Sequence, residues 1–316
     1  MGTHGADSFE QIGSMIRNVS GIEDFFSSQL EEWSEAAARY DALGGVEVKD
    51  IAVGDRIFRA QYNPARILST SAKVDAASLS VRPCFLCAEN RPACQRGMDL
   101  GNYELLVNPF PIFPRHFTIP AKRHIAQSIV GRMADMAALA GMMPGYTVFY
   151  NGPRCGASAP DHMHFQAGNT DFLSMPVPGH ALSVATGSGW GIYAYPYDAV
   201  PFIRIKAATP QSAAEAFDRL YRAADIGTGE PMMNILCTAV PDSGVEIDVI
   251  PRKAHRPDFY GDASGRILVS PASVDLAGVF IFPRKQDFDC ADDTMILRTL
   301  QQVCLSSADL KNWLKI

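Results

Sequence analysis

Residues 159–168 read APDHMHFQAG, and the two histidines in this stretch decide how the rest of the chain is interpreted. Alternate residues of a β-strand point to the same side, so His162, His164 and Gln166 would share one face. This pattern fits a pair of metal ligands, one ligand beside a reactive imidazole, or a strand with two surface histidines. The last is the least favoured, because Gln166 extends the same face and a glycine-containing loop, NGPRCGAS, precedes it.

A Cys-x2-Cys pair, Cys84 and Cys87, stands in the proline-bracketed segment RPCFLCAENRP. A two-residue gap lets both sulfurs reach one ion from a tight turn, as in one half of many zinc sites. The chain has no second such pair, so the remaining ligands would be histidines. The candidates are His116, His124, His162 and His164. Taken alone, the two cysteines equally suit small buried residues in a loop, and His124 suits a histidine at the start of a helix.

Composition limits the class of protein. With 316 residues, 47% hydrophobic and 20% charged, the chain is typical of a globular protein of one or two domains. A net charge of −6 without basic blocks disfavours nucleic-acid binding, whereas a small anion held by a local arginine cluster stays compatible. No apolar run suits a membrane helix, and the N-terminus lacks a secretory pattern. We therefore expect a cytoplasmic protein without a membrane partner, with its seven scattered cysteines reduced.

Strand and helix patterns alternate along the chain, which predicts an α+β fold. Residues 1–45 are predicted to form an N-terminal helical segment, and residues 125–143 a mid-chain helix. In the last third, the turn PDS would join PMMNILCTAV and GVEIDVIPRK in a hairpin. We predict an antiparallel sheet with flanking helices in two related halves, residues 46–185 and 186–316, although no strict sequence repeat supports the duplication.

Four segments between residues 60 and 168 together resemble the galactose-1-phosphate uridylyltransferase branch of the histidine-triad (HIT-like) superfamily. QYNPARILSTSAK resembles its Asn-Pro strand entry, CFLCAENRP its zinc-binding segment, and LLVNPFPIF the strand that ends in Asn beside the nucleotide. YNGPRCGASAPDHMHFQ resembles its active-site strand, and HMHFQA is closest to the GDP-L-galactose phosphorylase subgroup. The chain departs from the family in lacking the proline-rich HPHP form and a second, iron-type site. The resemblance implies a duplicated HIT-like fold.

The resemblance also implies roles for individual residues. It implies that a structural zinc ion is bound by Cys84, Cys87, His124 and His162. It places His164 on the nucleophile of the family and Gln166 on the residue that contacts the reacting phosphate. Positions near the phosphates or the ribose are implied for Asn108, Asn151 and Ser158.

Covalent nucleotidyl transfer explains why such residues would be gathered on one face. An imidazole nitrogen attacks the α-phosphorus of a nucleoside diphosphate sugar, hexose 1-phosphate leaves, and phosphate or a sugar 1-phosphate then accepts the nucleotide. The attacking nitrogen must lack a proton, while an acceptor such as a backbone carbonyl holds the other ring nitrogen. Gln166 and loop amides would donate to the phosphoryl oxygens. Basic candidates for the pyrophosphate are Arg66, Lys73 and Arg154.

Each of these three cations could instead be a solvated surface charge. The basic segment IPRKAHRP, residues 250–257, is either a phosphate patch contributed by the second half or an exposed turn. Its position in the last third of the chain would bring a second half of the protein to the site.

The sequence leaves three functions open. The leading one is a nucleotidyltransferase or phosphorylase of a nucleotide sugar in carbohydrate metabolism. The second is a hydrolase or phosphorylase of dinucleoside polyphosphates that uses the same His164. The third is an inactive, zinc-stabilised protein that binds nucleotides. Because relatives of this branch often dimerise, a homodimer is also among the expectations.

Overall fold

The structure, a computed structural model, describes residues 19–67, 82–174, 179–223 and 229–315. Its helices are α1 (Val19–Glu32), α2 (Ser34–Leu43), α3 (Met133–Met142), α4 (Pro210–Ala223), α5 (Ser273–Leu276), α6 (Lys285–Cys290), α7 (Asp293–Val303) and α8 (Ser307–Leu314). Its strands are β1 (Glu47–Val53), β2 (Arg56–Tyr62), β3 (Gly97–Leu100), β4 (Tyr103–Val107), β5 (His116–Pro120), β6 (Tyr146–Asn151), β7 (His164–Asn169), β8 (Leu182–Gly187), β9 (Trp190–Tyr195), β10 (Phe202–Ala207), β11 (Met233–Val240), β12 (Gly244–Pro251) and β13 (Val279–Phe282). The predicted α+β class is confirmed. None of the described helices is both long and apolar enough to cross a membrane.

A ten-stranded antiparallel sheet forms the body of the molecule, in the order β3-β4-β5-β7-β6-β11-β12-β10-β9-β8. From each edge inward, one pattern repeats: three consecutive strands, then the fifth strand of that half, then the fourth. A helix joins the third strand to the fourth in each half, α3 in the first and α4 in the second. The halves meet where β6 pairs with β11, with Asn151 opposite Asn234. The topology therefore confirms two related halves.

The two faces of this sheet pack against different layers. Residues such as Phe165, Val148 and Ile247 point into a core that includes side chains of α3 and α4. Alternate residues such as Leu236 and Ile250 point to the opposite face, where a three-stranded sheet, β1-β2-β13, packs on them. The cleft described below opens on this same face of the large sheet, beside β7.

The predicted mid-chain helix is wrong for residues 125–132, because α3 begins only at Met133. The preceding residues run extended alongside the start of β7, where the Ile125 carbonyl accepts a hydrogen bond from the Met163 amide at 2.7 Å. Gly131, with φ +70°, turns the chain into the helix. The hydrophobic spacing resembled a helix, but these backbone groups bond to a neighbouring segment instead. The predicted hairpin of β11 and β12 is confirmed.

Candidate functional site

A cleft of about 810 Å³ opens on the face of β7 that carries His164 and Gln166. The predicted site residues that line it are Arg66, Asn108, Asn151, Ser158, His164 and Gln166. Arg154 is not among its lining residues, and its guanidinium donates to the Glu230 carbonyl at 3.1 Å. Lys73 lies outside the described residues, as do residues 1–18 of the predicted N-terminal helical segment. The structure thus gathers most of the predicted binding side chains around one space.

His164 is held in one tautomer at the floor of the cleft. Its Nδ1 donates to the His162 carbonyl at 2.8 Å, which leaves Nε2 as the unprotonated nitrogen on the cleft side. Over the described ranges of the chain, Nε2 has no hydrogen-bond partner. Burial lowers the pKa of His164 to about 4, so the imidazole is neutral at physiological pH. Such a ring presents a nitrogen lone pair to whatever enters the cleft.

A glutamine side chain clamps the backbone of His164. The Gln127 amide NH2 donates to the carbonyls of Asn151 and His164, at 2.9 and 3.1 Å, and its Oε1 accepts from the His164 N–H at 2.8 Å. Regular pairing of β6 with β7 ends at Phe149 and Gln166. Gln127 therefore supplies hydrogen bonds at the point where the two strands separate.

Gln166 is oriented by a buried histidine. The Ile112 N–H donates to Nδ1 of His116 at 3.2 Å, so the ring proton is on Nε2, which donates to Oε1 of Gln166 at 3.0 Å. With its oxygen engaged, Gln166 directs its NH2 group into the cleft. Burial and the charge of Arg66 lower the pKa of His116 to about 3. His116, a candidate ligand on residue type, is therefore not part of the metal cluster.

Asn151 is oriented in the same sense by three donors. Its Oδ1 accepts from the Ser273 N–H, the Ser273 hydroxyl and the Asn234 NH2 group, at 2.9, 2.7 and 2.8 Å. Its own NH2 group is consequently directed to the cleft. Asn108 differs, because its side chain donates to Thr118 at 2.9 Å and accepts from the Phe110 N–H at 2.8 Å. It therefore shapes the turn that follows β4.

The half-buried Arg66 and the buried Asp275 complete the cleft wall. Arg66 donates to the Phe110 carbonyl at 2.7 Å, and burial lowers its pKa to about 10, so it stays charged at neutral pH. Asp275 accepts from the backbone N–H groups of Ala272 and Ile281, at 2.9 and 3.1 Å. Burial raises the pKa of Asp275 to about 6. The cleft thus combines a fixed cation with a carboxyl group that titrates just below neutrality.

The four predicted metal ligands come together beside the cleft. Cys84 Sγ lies 3.3 Å from Nδ1 of His162, and Cys87 Sγ lies 3.2 Å from Nδ1 of His124. The four ligand atoms lie within 4.8 Å of one another, so these residues could hold a metal ion. His162 Nε2 donates to the Ala121 carbonyl at 2.7 Å, a bond that fixes the ring with Nδ1 toward the sulfurs.

The prediction that His162, His164 and Gln166 share one face of a strand is wrong for His162. β7 begins at His164, whereas His162 lies in the preceding turn, where its N–H donates to the Ala159 carbonyl at 3.1 Å. This turn sends one ring to the cysteines and the other to the cleft.

Some residues of the site could not be found from the sequence. The segment 250–257 is neither wholly a phosphate patch nor wholly an exposed turn, because Arg252 is buried while His255 and Arg256 line the cleft. Trp33, between α1 and α2, and Arg39 of α2 line it too, with the Arg39 guanidinium 4.6 Å from the Phe110 ring centre. These residues are distant in sequence from the recognisable motifs and lack a pattern of their own.

Two family models match the chain: a domain of unknown function (DUF4922) over residues 25–169, and the GDPGP1-like C-terminal domain over residues 230–316. No curated protein matches the chain in sequence. The fold is that of yeast Ap4A phosphorylase Apa2, with a TM-score of 0.53 and 17% identity over 87% of this chain and 97% of the other. For its AMP complex these values are 0.51, 17%, 86% and 95%, and for its Ap4A complex 0.50, 15%, 87% and 98%.

The two repeated halves in one sheet, with a His-x-His-x-Gln segment entering the cleft, agree with this fold match. The GDPGP1-like match over residues 230–316 agrees with the resemblance to the branch of galactose-1-phosphate uridylyltransferase and GDP-L-galactose phosphorylase-like proteins. The resemblance noted in the sequence is confirmed.

Proposed function

We propose that the protein is a phosphorylase or nucleotidyltransferase acting on a nucleoside diphosphate sugar, with His164 as the nucleophile. The observation that carries this proposal is the neutral His164 ring, held at Nδ1 by the His162 carbonyl with Nε2 facing the cleft. Directed NH2 groups of Gln166 and Asn151 share that cleft with the ring. A nucleophile and oriented donors in one cleft are what displacement at phosphorus needs.

The reaction would proceed in two displacements. The Nε2 lone pair of His164 forms a bond to the α-phosphorus, and the electrons of the breaking P–O bond leave with hexose 1-phosphate. An oxygen of phosphate or of a sugar 1-phosphate then attacks the nucleotidyl-histidine, and the electrons of the P–N bond return to the ring. The His162 carbonyl holds the proton on Nδ1 and stabilises the positive charge that develops on the imidazole. Neither displacement requires this ring to ionise beforehand.

The donors around His164 would stabilise the phosphoryl oxygens. Gln166 and Asn151 have their amide oxygens engaged by buried donors, so their NH2 groups need not reorganise when negative charge accumulates. Arg66 would add a positive charge at the wall. We also propose that residues such as Ser158 and Asn108 contact the nucleotide, because both line the same cleft.

A second candidate substrate is a dinucleoside polyphosphate. The fold match to a phosphorylase whose structure is known with Ap4A favours it, whereas the GDPGP1-like C-terminal match favours a nucleotide sugar. Both substrates present an α-phosphorus with a phosphate leaving group, so the same His164 chemistry serves either.

A substrate panel separates these candidates. The protein would be incubated with GDP-, UDP- and ADP-hexoses and with Ap4A, each alone, with inorganic phosphate, or with the 1-phosphate of a different hexose, and the nucleotides separated by chromatography. We expect a nucleoside diphosphate to form only when phosphate is present. Monophosphate released without phosphate would indicate a hydrolase, and consumption of Ap4A alone would select the second candidate. If every nucleotide is recovered unchanged, the proposed function is wrong.

Trapping the intermediate tests the covalent route. Without an acceptor, intact-protein mass spectrometry should show one nucleotidyl group added to the chain, and the adduct should disappear in His164→Asn. Addition of phosphate should discharge it. A protein that turns over its substrate without this adduct would use direct displacement, and one that only binds nucleotides would correspond to the inactive alternative.

We propose that zinc is the metal of the Cys84, Cys87, His124 and His162 cluster. A tetrahedral zinc ion keeps sulfur and nitrogen ligands roughly 3.5 Å apart, and the measured separations of 3.2 to 3.5 Å agree with this value. When bound, the ion would supply a closed structural shell that fixes the turn leading into β7. The position of His164 would then depend on the ligand two residues before it.

Metal analysis checks this proposal. We expect about one zinc ion per chain, and Cys84→Ser should lose most of it and lower the melting temperature, because structural zinc contributes to folding free energy. Cys290→Ser is the matched control, since Cys290 is an exposed thiol outside the cluster. Equal zinc content in Cys84→Ser and Cys290→Ser would contradict the assignment.

We propose residues 46–185 as the catalytic half and residues 186–316 as the half that completes the cleft, with residues 1–45 as an additional helical segment. Lining residues such as His255 and Arg256 support this division of labour. A cytoplasmic location, a homodimer and the absence of nucleic-acid partners stay predictions.

A further inference from the structure

Arg252 is a buried cation surrounded by neutral acceptors. It is 4% exposed, and all five of its guanidinium N–H donors have partners. These partners are the side-chain oxygen of Asn234, at 2.6 Å, and the backbone carbonyls of Pro271, Val303, Ala254 and His255, at 3.0 to 3.1 Å. In the described part of the chain no carboxylate pairs with it. A buried charge without a counter-charge is costly, and an anion bound in the neighbouring cleft would supply one.

The bonds of Arg252 fix the orientation of two amides in succession. Because Arg252 donates to Oδ1 of Asn234, the NH2 group of Asn234 must point the other way. It donates to Oδ1 of Asn151 at 2.8 Å and to the Cys155 carbonyl at 2.8 Å. Asn151 is thereby left with its NH2 group toward the cleft. The chain of donors runs from a buried charge to the cleft surface in two steps.

The hydrogen-bonded series of Arg252, Asn234 and Asn151, called the relay below, crosses the boundary between the two halves of the sheet. Asn151 is the last residue of β6. Its register partner Asn234 lies on β11, the strand of the second half that pairs with β6. Arg252 directly follows β12. Hydrogen bonds in series polarise one another in a low-dielectric interior, so the charge of Arg252 would strengthen the last donor of the series.

We propose that Arg252 and Asn234 are positioning residues for phosphoryl binding: together they direct the Asn151 NH2 group into the cleft and extend a buried positive charge toward it. The second half of the protein would thus act on the phosphate of a substrate held mainly by the first half. This inference rests on the proposed function only in taking the cleft to bind phosphoryl oxygens.

A double-mutant cycle distinguishes this role from a structural one. If Asn234 acts through Asn151, its removal should weaken binding only while Asn151 is present, whereas a general loss of packing should add to the effect of losing Asn151. The probe is inorganic pyrophosphate, and the measurement is titration calorimetry on the full chain. The variants are Asn151→Ala, Asn234→Ala and the double variant.

We expect each single variant to weaken pyrophosphate binding about tenfold and the double variant to be no more than about twofold weaker than Asn151→Ala. A loss of about 100-fold in the double variant overturns the inference, as does a failure of the intact protein to bind pyrophosphate. The titration needs no turnover, so an inactive protein in the substrate panel would refute the proposed function and leave this cycle decisive.

Three further variants separate charge from orientation and from folding. Arg252→Lys keeps the charge, and its affinity for pyrophosphate should be within about threefold of that of the intact protein. The affinity of Arg252→Met should fall about tenfold. Equal losses in the two variants would contradict a contribution from the charge of Arg252. Gln29→Ala removes a buried amide with two backbone hydrogen bonds, to Cys94 and Arg96, far from the relay. It should lower the melting temperature and leave binding unchanged. If Arg252→Met does not fold, the Asn234 cycle decides.

Discussion

One row of paired residues crosses the centre of the sheet and contrasts its two halves. From β5 to β10 the row is Thr118, Gln166, Phe149, Leu236, Asp248 and Arg204. In the first half, Gln166 and its small neighbour Thr118 line a cleft of about 810 Å³. In the second half, Asp248 and Arg204 hold the corresponding places, and the space beside them is a cavity of about 10 Å³. Equivalent positions have become a site in one half and a closed core in the other.

The contents of the two positions explain this difference. Arg204 binds Asp248 with two bonds of 2.7 Å and reaches Glu246 at 3.1 Å, so long charged side chains fill and neutralise the space. In the first half, a neutral amide stands beside a threonine whose hydroxyl accepts from Asn108. The same strand order occurs in both halves of the sheet. A few side chains of this row determine which half has an open cleft.

The largest effect is expected at His164, the proposed nucleophile. His164→Asn should reduce turnover by at least about 10³-fold, because the attacking nitrogen is lost while an amide can still donate to the His162 carbonyl. The control is Glu246→Gln, since Glu246 precedes Asp248 by two residues, as His164 precedes Gln166. Steady-state kinetics should show a change within about twofold for Glu246→Gln. Similar losses in both variants would remove the functional distinction between the halves.

The next effect is on stability in the closed half. Arg204→Met leaves the buried Asp248 without its partner and should lower the free energy of unfolding by about 3–5 kcal/mol. Urea denaturation measures this change, and turnover per folded molecule should be retained. The exposed pair of Arg298 and Asp258, at 3.3 Å, provides the control, because Arg298→Met should cost less than about 1 kcal/mol. A turnover defect in folded Arg204→Met would show that the closed half is catalytic.

A smaller effect is expected when a negative charge is introduced into the cleft of the first half. Gln166→Glu keeps an oxygen for the His116 donor but replaces the NH2 group in the cleft with a negative oxygen. We expect kcat to fall about 10²-fold, the effect of removing one preorganised donor from a phosphoryl site. The melting temperature should change little. An unchanged kcat would mean that Gln166 does not contact the reacting phosphate.

The smallest effect concerns the buried carboxyl group of the cleft wall. The pKa of Asp275 is raised to about 6, mainly by burial, whereas unfolding restores an ordinary value near 4. The folded state then binds the proton more tightly, so this contribution is fully present below about pH 4 and is lost as pH rises through about 6. The expected slope is at most about 1.4 kcal/mol per pH unit.

Denaturation curves between pH 4 and 7 would reveal this slope, and Asp275→Asn should flatten it. The variant should be less stable overall, because both carboxylate oxygens accept backbone N–H bonds in the native protein. If the slope persists in Asp275→Asn, another group causes it.

Motif spacing anticipated the turn that holds Cys84 and Cys87 and the shared strand face of His164 and Gln166. The family resemblance, and not the spacing, supplied the full set of metal ligands and the proposed role of His164. The same spacing placed His162 on that strand, although a turn separates it from His164. The α+β class and the paired halves follow from alternating patterns along the chain. For these features, the deciding residues lie close together in sequence.

The remaining features depend on contacts between distant segments. Residues 125–132 carry helical spacing, yet their polar groups bond to the start of β7, which spacing cannot reveal. Arg252 could not be separated from the other basic residues of its segment, because its burial depends on contacts with residues distant in sequence, such as Asn234 and Val303. His116 became an orienting residue through two hydrogen bonds that no local pattern encodes.

Gln127 touches three backbone groups at the fork where β6 and β7 part. The backbones of Asn151 and His164 are therefore separated by the width of one amide group. If β6 and β7 had continued to pair, the two strands would have come together and closed the floor of the cleft. The side chain of Gln127 thus acts as a spacer that sets the separation of the two strands at the proposed site.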